Sequence, residues 1–276
     1  MADSQLLLTA IVAAGVLAIT GTLALRAARA RRRSAAFAEP FSDAWRSLLA
    51  HSLPLYSRMP PALRTRLEPL VRAFFEDVRF VGCQGLEVTD EMRLVIGSQA
   101  CLLIVERNPR AYESLSSVLI YPDEFVVAEA EEDEAGVVTE GERVLSGQTF
   151  DTSRIVLSWR DVKQSGVDGD AYNVVLHEFA HFLDHSVDGA LTDAGTPREA
   201  FEEWHEVLHR EYESLCDAID RGDDTLIDPY GAEHPAEFFA VATETFFELP
   251  AEMRHHHAAL YAELKRFYGL DPASWG

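Results

Sequence analysis

VVLHEFAHFLDHSVDG, residues 174–189, is the stretch on which the reading of this chain turns. Within it His177, Glu178 and His181 spell H-E-x-x-H. Val174, Val175, Leu176, Phe179, Ala180, Phe182 and Leu183 crowd around them, so the segment reads as a helix apolar on nearly all sides and therefore buried. Positions i and i+4 lie one turn apart on one face, so both imidazoles can reach one ion at about 2.0–2.1 Å. Glu178 is rotated by about 100° from His177, too far round to be a third ligand. It can instead take a proton from water activated by the ion, as the general base of a zinc peptidase. A surface helix that happens to carry two histidines is the bland alternative. It would leave three polar residues on one side of a buried helix without partners, which is costly.

A catalytic zinc needs a third protein ligand and an open position. The longer H-E-x-x-H-x-x-G-x-x-H form is excluded, because Asp184 and Val187 stand at its glycine and third histidine. Asp184 suits an acceptor for the second nitrogen of a ligand histidine, or is a plain helix-end charge. A ligand about twenty residues on would be Glu199, Glu202 or Glu203, yet EAFEEWHEVLHREYE reads as an ordinary amphipathic helix. PYGAEHPAEFFAVATETFFELP, residues 229–250, offers Glu237, Glu244 and Glu248 near one stripe. Glu237 and Glu244 are about 10.5 Å apart along a helix axis, so they cannot both bind one ion. Glu237, set among Phe238, Phe239 and Ala240, is preferred, with Glu244 left open as its rival.

Composition narrows the classes further. The 276 residues suffice for one large domain or two small ones. The formal net charge is −22, which repels nucleic acid phosphates, so no direct nucleic acid binding is expected. Cys83, Cys101 and Cys216 are odd in number and lack C-x-x-C spacing, which argues against a disulfide framework and fits a reducing compartment. LLLTAIVAAGVLAITGTLAL, residues 6–25, carries no charge and as a helix is about 30 Å long. Arg26, Arg29, Arg31, Arg32 and Arg33 follow it. The expectation is a tail over 1–5, a transmembrane helix over 6–25, a basic stub and linker over 26–40, and a domain over 41–272. That arrangement would be single-pass in the inner (cytoplasmic) membrane, with the domain on the cytoplasmic side.

Along the domain, apolar clusters at helical spacing fill 43–80, and 88–106 reads as a buried helix begun by Thr89 or Asp90. Strand character marks 118–130 and 154–159, with an acidic loop or hairpin tip between them. Helices are expected at the motif and at about 197–221, 235–247 and 251–268, the third of these four starting at Pro235. Helices, a small sheet, then helices suggest an α+β domain.

HEFAHFLD (177–184), GQTFDTSRIVLSW (147–159) and DPYGAEHPAEFFAVATETFFELP (228–250) together resemble the Mlc titration factor A family of zinc peptidases. GLEVTDEMRLVIGSQACLLI (85–104) and YPDEFVV (121–127) match that pattern too, so the similarity runs over about 40–270. The resemblance implies a zincin-like domain with a small mixed sheet, an active-site helix and C-terminal helices. It implies one zinc per chain held by His177, His181 and Glu237, with Glu178 as base. It also implies a catalytic tyrosine seven residues before the glutamate ligand, where Tyr230 stands. By analogy with zincin folds, a peptide substrate would lie along an edge strand at Ile155, Val156, Leu157, Ser158 and Trp159. The activity implied is gluzincin-type and aminopeptidase-like. The family's name implies a second role, holding a cytoplasmic transcriptional repressor away from its operators, here at the membrane.

Overall fold

The computed structural model describes residues 20–24, 27–28, 30–108, 111–123, 125–132, 138–145, 147–151, 153–166, 169–190 and 198–275, without side chains at 125–132, 138–145, 147–151, 185–190 and 198–201. Three helices, α1 (Asp43–Ser52), α2 (Pro54–Arg58) and α3 (Pro61–Asp77), lead into strand β1 (Arg79–Gly82) and helix α4 (Asp90–Leu102). Strands β2 (Ser117–Tyr121), β3 (Phe125–Glu132), β4 (Val138–Leu145), β5 (Gly147–Asp151) and β6 (Arg154–Ser158) follow. The remainder is helical: α5 (Trp159–Gln164), α6 (Val174–Ala190), α7 (Arg198–Arg221), a 3-10 turn (Pro229–Ala232), α8 (Pro235–Glu248), α9 (Pro250–His256) and α10 (Ala258–Tyr268).

Local chemistry sets these boundaries. Ser42 caps α1 by accepting from Trp45 N at 3.2 Å, and Thr89 caps α4 by accepting from Met92 N at 3.2 Å. Pro54, Pro61, Pro235 and Pro250 each open a helix, where a missing N–H costs no hydrogen bond. Helix α4 is buried at every position from Leu94 to Leu102 and lies between α3 and α6.

The main sheet has the order β1-β2-β6-β5. β1, β2 and β6 pair in parallel, and β5 runs antiparallel to β6. Val118, Ile120, Ile155, Val156 and Leu157 are 0–2 % exposed, as expected for parallel strands covered on both faces. β3 and β4 form a separate antiparallel hairpin that carries much of the acidic segment 129–142. Aromatic packing joins the sheet side to the motif helix: Tyr112 meets Phe179 and Phe182 edge-on, at 5.3 and 5.6 Å between centroids.

Several expectations are corrected. The α+β arrangement with its strands gathered in one block gives way to a helix-rich fold whose small sheet is built on three parallel strands, interleaved with helices. β1 was missed because its four residues include no buried side chain, too weak a pattern to register. The run 118–130 breaks into β2 and β3, and the expected helix 251–268 breaks at His257 into α9 and α10. β6 is an interior strand, so the peptide placed along Ile155, Val156, Leu157 and Ser158 has no free edge there; Trp159 already belongs to α5. Among the described residues, the free edges of this sheet belong to β1 and β5.

The membrane expectation is also corrected. No helix among the described residues is long and apolar enough to cross a membrane. Residues 6–19 and 25 of the expected span lie outside the described residues, and the helical residues 20–24 read TGTLA. The single-pass inner-membrane placement with a cytoplasmic domain therefore has no support among the described residues.

Candidate metal centre

The site is built where α6 packs on α8. Asn173 starts α6: its Oδ1 accepts from Leu176 N at 3.1 Å and its carbonyl accepts from His177 N at 3.0 Å. Val175, Leu176, Phe179 and Ala180 are fully buried, which fixes the rotation of the helix about its axis. His177 and His181 consequently point together toward α8, each with 12 % of its side chain exposed. On α8, His234 caps the N-terminus by accepting from Ala236 N at 3.2 Å, and Pro235 occupies the first turn. Glu237 also lies in that first turn, where the helix dipole favours a carboxylate.

Three donor atoms converge. His177 Nε2 and His181 Nε2 lie 3.0 Å apart, and each is 3.1 Å from Glu237 Oε2. Among the described residues this is the one group of three candidate ligands whose donor atoms lie within 4.8 Å of one another. A point about 2.0–2.1 Å from all three atoms exists just off the plane of that triangle, matching zinc's bond lengths to imidazole and carboxylate. Electrostatics agree with the geometry. Burial would lower the His177 pKa, but the hydrogen bonds to Glu237 and Glu244 outweigh it and push it up to about 10. Burial would raise Glu237, but His177 and His181 hold it well below the usual carboxylate range. The cluster thus favours added positive charge, as a bound divalent ion would supply.

Glu244 does not join this triangle. Its Oε1 lies 2.7 Å from His177 Nδ1, on the far side of the ring from Glu237. Burial pushes its carboxyl up, against the pull of His177 and of Asn173 N. Glu178 is 5 % exposed, and its charge helps to raise His177. Tyr230 sits in the 3-10 turn, its amide donating to Asp228 Oδ1 at 2.8 Å. The residue is 41 % exposed, with its ring centroid 6.0 Å from that of His177. Asp184, one turn beyond His181, is half-buried on the wall of a groove of about 650 Å³ that Trp204, His205, Phe238 and Phe239 also line. β5, with its free edge, packs against α6.

Sequence reasoning passes over two features. Asn173 makes hydrogen bonds through every polar atom of its side chain, a role that the asparagine before the motif helix could have signalled. A second H-E-x-x-H run, His205 to His209, lies within the stretch read as an ordinary amphipathic helix.

Comparison with known proteins accords with the centre. An uncharacterized protein of Synechocystis, slr2042, is 37% identical over 249 residues, covering 87% of this chain and 89% of that protein. Proteins named Mlc titration factor A, from Yersinia pestis and Yersinia pseudotuberculosis, are each 33% identical over 228 residues, covering 81% of this chain and 83% of theirs. The model of the glucose-regulated metallo-peptidase M90 family matches residues 26–269, nearly the whole described structure. With a histidine pair and a carboxylate brought to one point within that match, the chain belongs to the glucose-regulated metallo-peptidase M90 family.

Proposed function

We propose that the chain is a zinc-dependent peptidase in which His177, His181 and Glu237 hold one zinc ion, Glu178 is the general base and Tyr230 stabilises the transition state. The observation that carries this reading is the triangle of His177 Nε2, His181 Nε2 and Glu237 Oε2, with sides of 3.0–3.1 Å. A zinc ion held there supplies a Lewis acid that polarises the scissile carbonyl and makes water acidic enough to act near neutral pH. Glu178, adjacent to His177 and nearly buried, takes a proton from the attacking water and returns it to the departing nitrogen. The Tyr230 hydroxyl, on an exposed ring beside His177, donates to the carbonyl oxygen as negative charge develops there. An extended peptide pairs with the free edge of β5, which packs against the motif helix. Small peptides cleaved from their amino end are the substrates proposed.

The test is metal analysis together with peptide hydrolysis. The purified chain should carry about one zinc, hydrolyse short peptides, and lose that activity with chelator. A metal-free chain that still hydrolyses peptides sinks the proposal.

A second reading is favoured by the relatives named Mlc titration factor A. In it the chain binds a transcriptional repressor, and the net charge of −22 suits a partner with a basic face. Such a complex would weaken as salt rises.

A further inference from the structure

We propose that Glu244 positions His177 for the metal, holding the ring with its hydrogen on Nδ1 and its lone pair on Nε2. The inference rests on the reading of His177 as a metal ligand.

Glu244 grips two donors at once. Oε1 lies 2.7 Å from His177 Nδ1, and Oε2 accepts from the backbone N–H of Asn173. Only a carboxylate presents acceptors on both arms; a glutamine would set an NH2 group against one of the two donors. The residue is 4 % exposed, so water cannot replace a lost partner.

The grip is itself fixed from behind. Asn173 Nδ2 donates to Gln99 Oε1 at 2.6 Å and to Glu248 Oε1 at 2.7 Å, while Oδ1 accepts from Leu176 N at 3.1 Å. Every polar group of that side chain is therefore committed, and Asn173 cannot turn away. Glu248 is tied in turn to Arg58 Nη2 at 2.6 Å, and Arg58 also donates to the carbonyls of Phe247 and Glu248 at 3.1 Å. Gly166, in a left-handed conformation (φ 68°), lies so close to the Glu248 carboxylate that a Cβ there would meet Oε1 at 2.8 Å. Elements α2, α4, α6 and α8 thus meet in one satisfied polar network, and its innermost member faces His177.

A buried carboxylate could serve merely to tie α6 to α8. The two roles part at the ring. A tie lowers stability when removed and leaves metal affinity alone, whereas a positioning residue changes the metal's hold on His177.

The experiment uses the full chain with Glu244→Gln, Glu244→Ala and His177→Ala. Zinc affinity is measured by chelator competition and thermal stability on the metal-free forms. The His177 tautomer is read by long-range 1H–15N NMR on the zinc-loaded wild type. Glu244→Gln should weaken zinc binding about 10–100-fold. Wild-type His177 should carry its hydrogen on Nδ1. Wild-type zinc affinity in both Glu244 variants, with only the melting temperature lowered, would overturn the proposal. So would a zinc-loaded wild type whose His177 Nδ1–H shows no downfield, hydrogen-bonded proton resonance, and that measurement decides even where a variant does not fold. Full zinc affinity in His177→Ala overturns the metal-centre reading instead, so the two failures are separable.

Discussion

His177–His181 on α6 and His205–His209 on α7 carry the same five-position pattern, H-E-x-x-H, on two helices that both pack against α8. Spacing, residue types and secondary structure are shared. The surroundings are not. His177 and His181 are 12 % exposed and converge on Glu237 of α8. His209 is 70 % exposed and pairs with Glu213 one turn along its own helix, at 3.2 Å. Around the first run every flanking apolar residue is buried, whereas around the second Trp204, Val207 and Leu215 form a single buried stripe with exposed residues between. A histidine pair at helical spacing is therefore half of a metal site. The other half is a carboxylate delivered by a different helix, with enough burial to make the absence of a cation costly.

The contrast can be broken most forcefully at the two glutamates. Glu178→Gln should keep zinc and lower peptide hydrolysis on the order of 10²–10⁴-fold, because the amide cannot take a proton. Glu206→Gln, the same change in the second run, should leave the rate unchanged. Equal effects of the two, measured as kcat/KM on one peptide, would dissolve the distinction.

Tyr230→Phe comes next. Removing the hydroxyl should cost about 10²–10³-fold in kcat with zinc content intact. An unchanged kcat returns Tyr230 to the status of an exposed aromatic on a turn.

Stability should follow the same contrast on a smaller scale. Phe179 lies within the first run, is fully buried and stacks edge-on with Tyr112. Phe179→Ala should destabilise the fold by about 3–5 kcal/mol in denaturant titration. Glu213→Ala removes only an exposed pair with His209 and should change stability by less than about 0.5 kcal/mol. A comparable loss in both would mean that α7 is held far more tightly than its burial indicates.

The same contrast explains what could be read from residues alone. The first run was legible because Val175, Leu176, Phe179, Ala180 and Leu183 announce burial, and burial turns two histidines and a glutamate into a problem needing a metal. Helices α4 and α8 were legible through Thr89 and Pro235, since caps and first-turn prolines act within a few residues. The choice between Glu237 and Glu244 was not decidable from spacing, because both lie on one stripe of α8 and only the docking of α8 on α6 separates them. The interior position of β6 was hidden for a similar reason. An apolar strand does not state which neighbours it has, and β5 covers its second edge through a pairing that its sequence scarcely signals. The polar network behind His177 joins Arg58, Gln99, Asn173 and Glu248 across 190 residues of chain, well beyond any local pattern.

The central claim is that one of the two runs holds the ion, and counting zinc in two double variants tests it most directly. Wild type and His205→Ala/His209→Ala should each carry about one zinc per chain after dialysis, while His177→Ala/His181→Ala should carry essentially none. Zinc retained in the His177/His181 variant, or lost from the His205/His209 variant, would contradict the account.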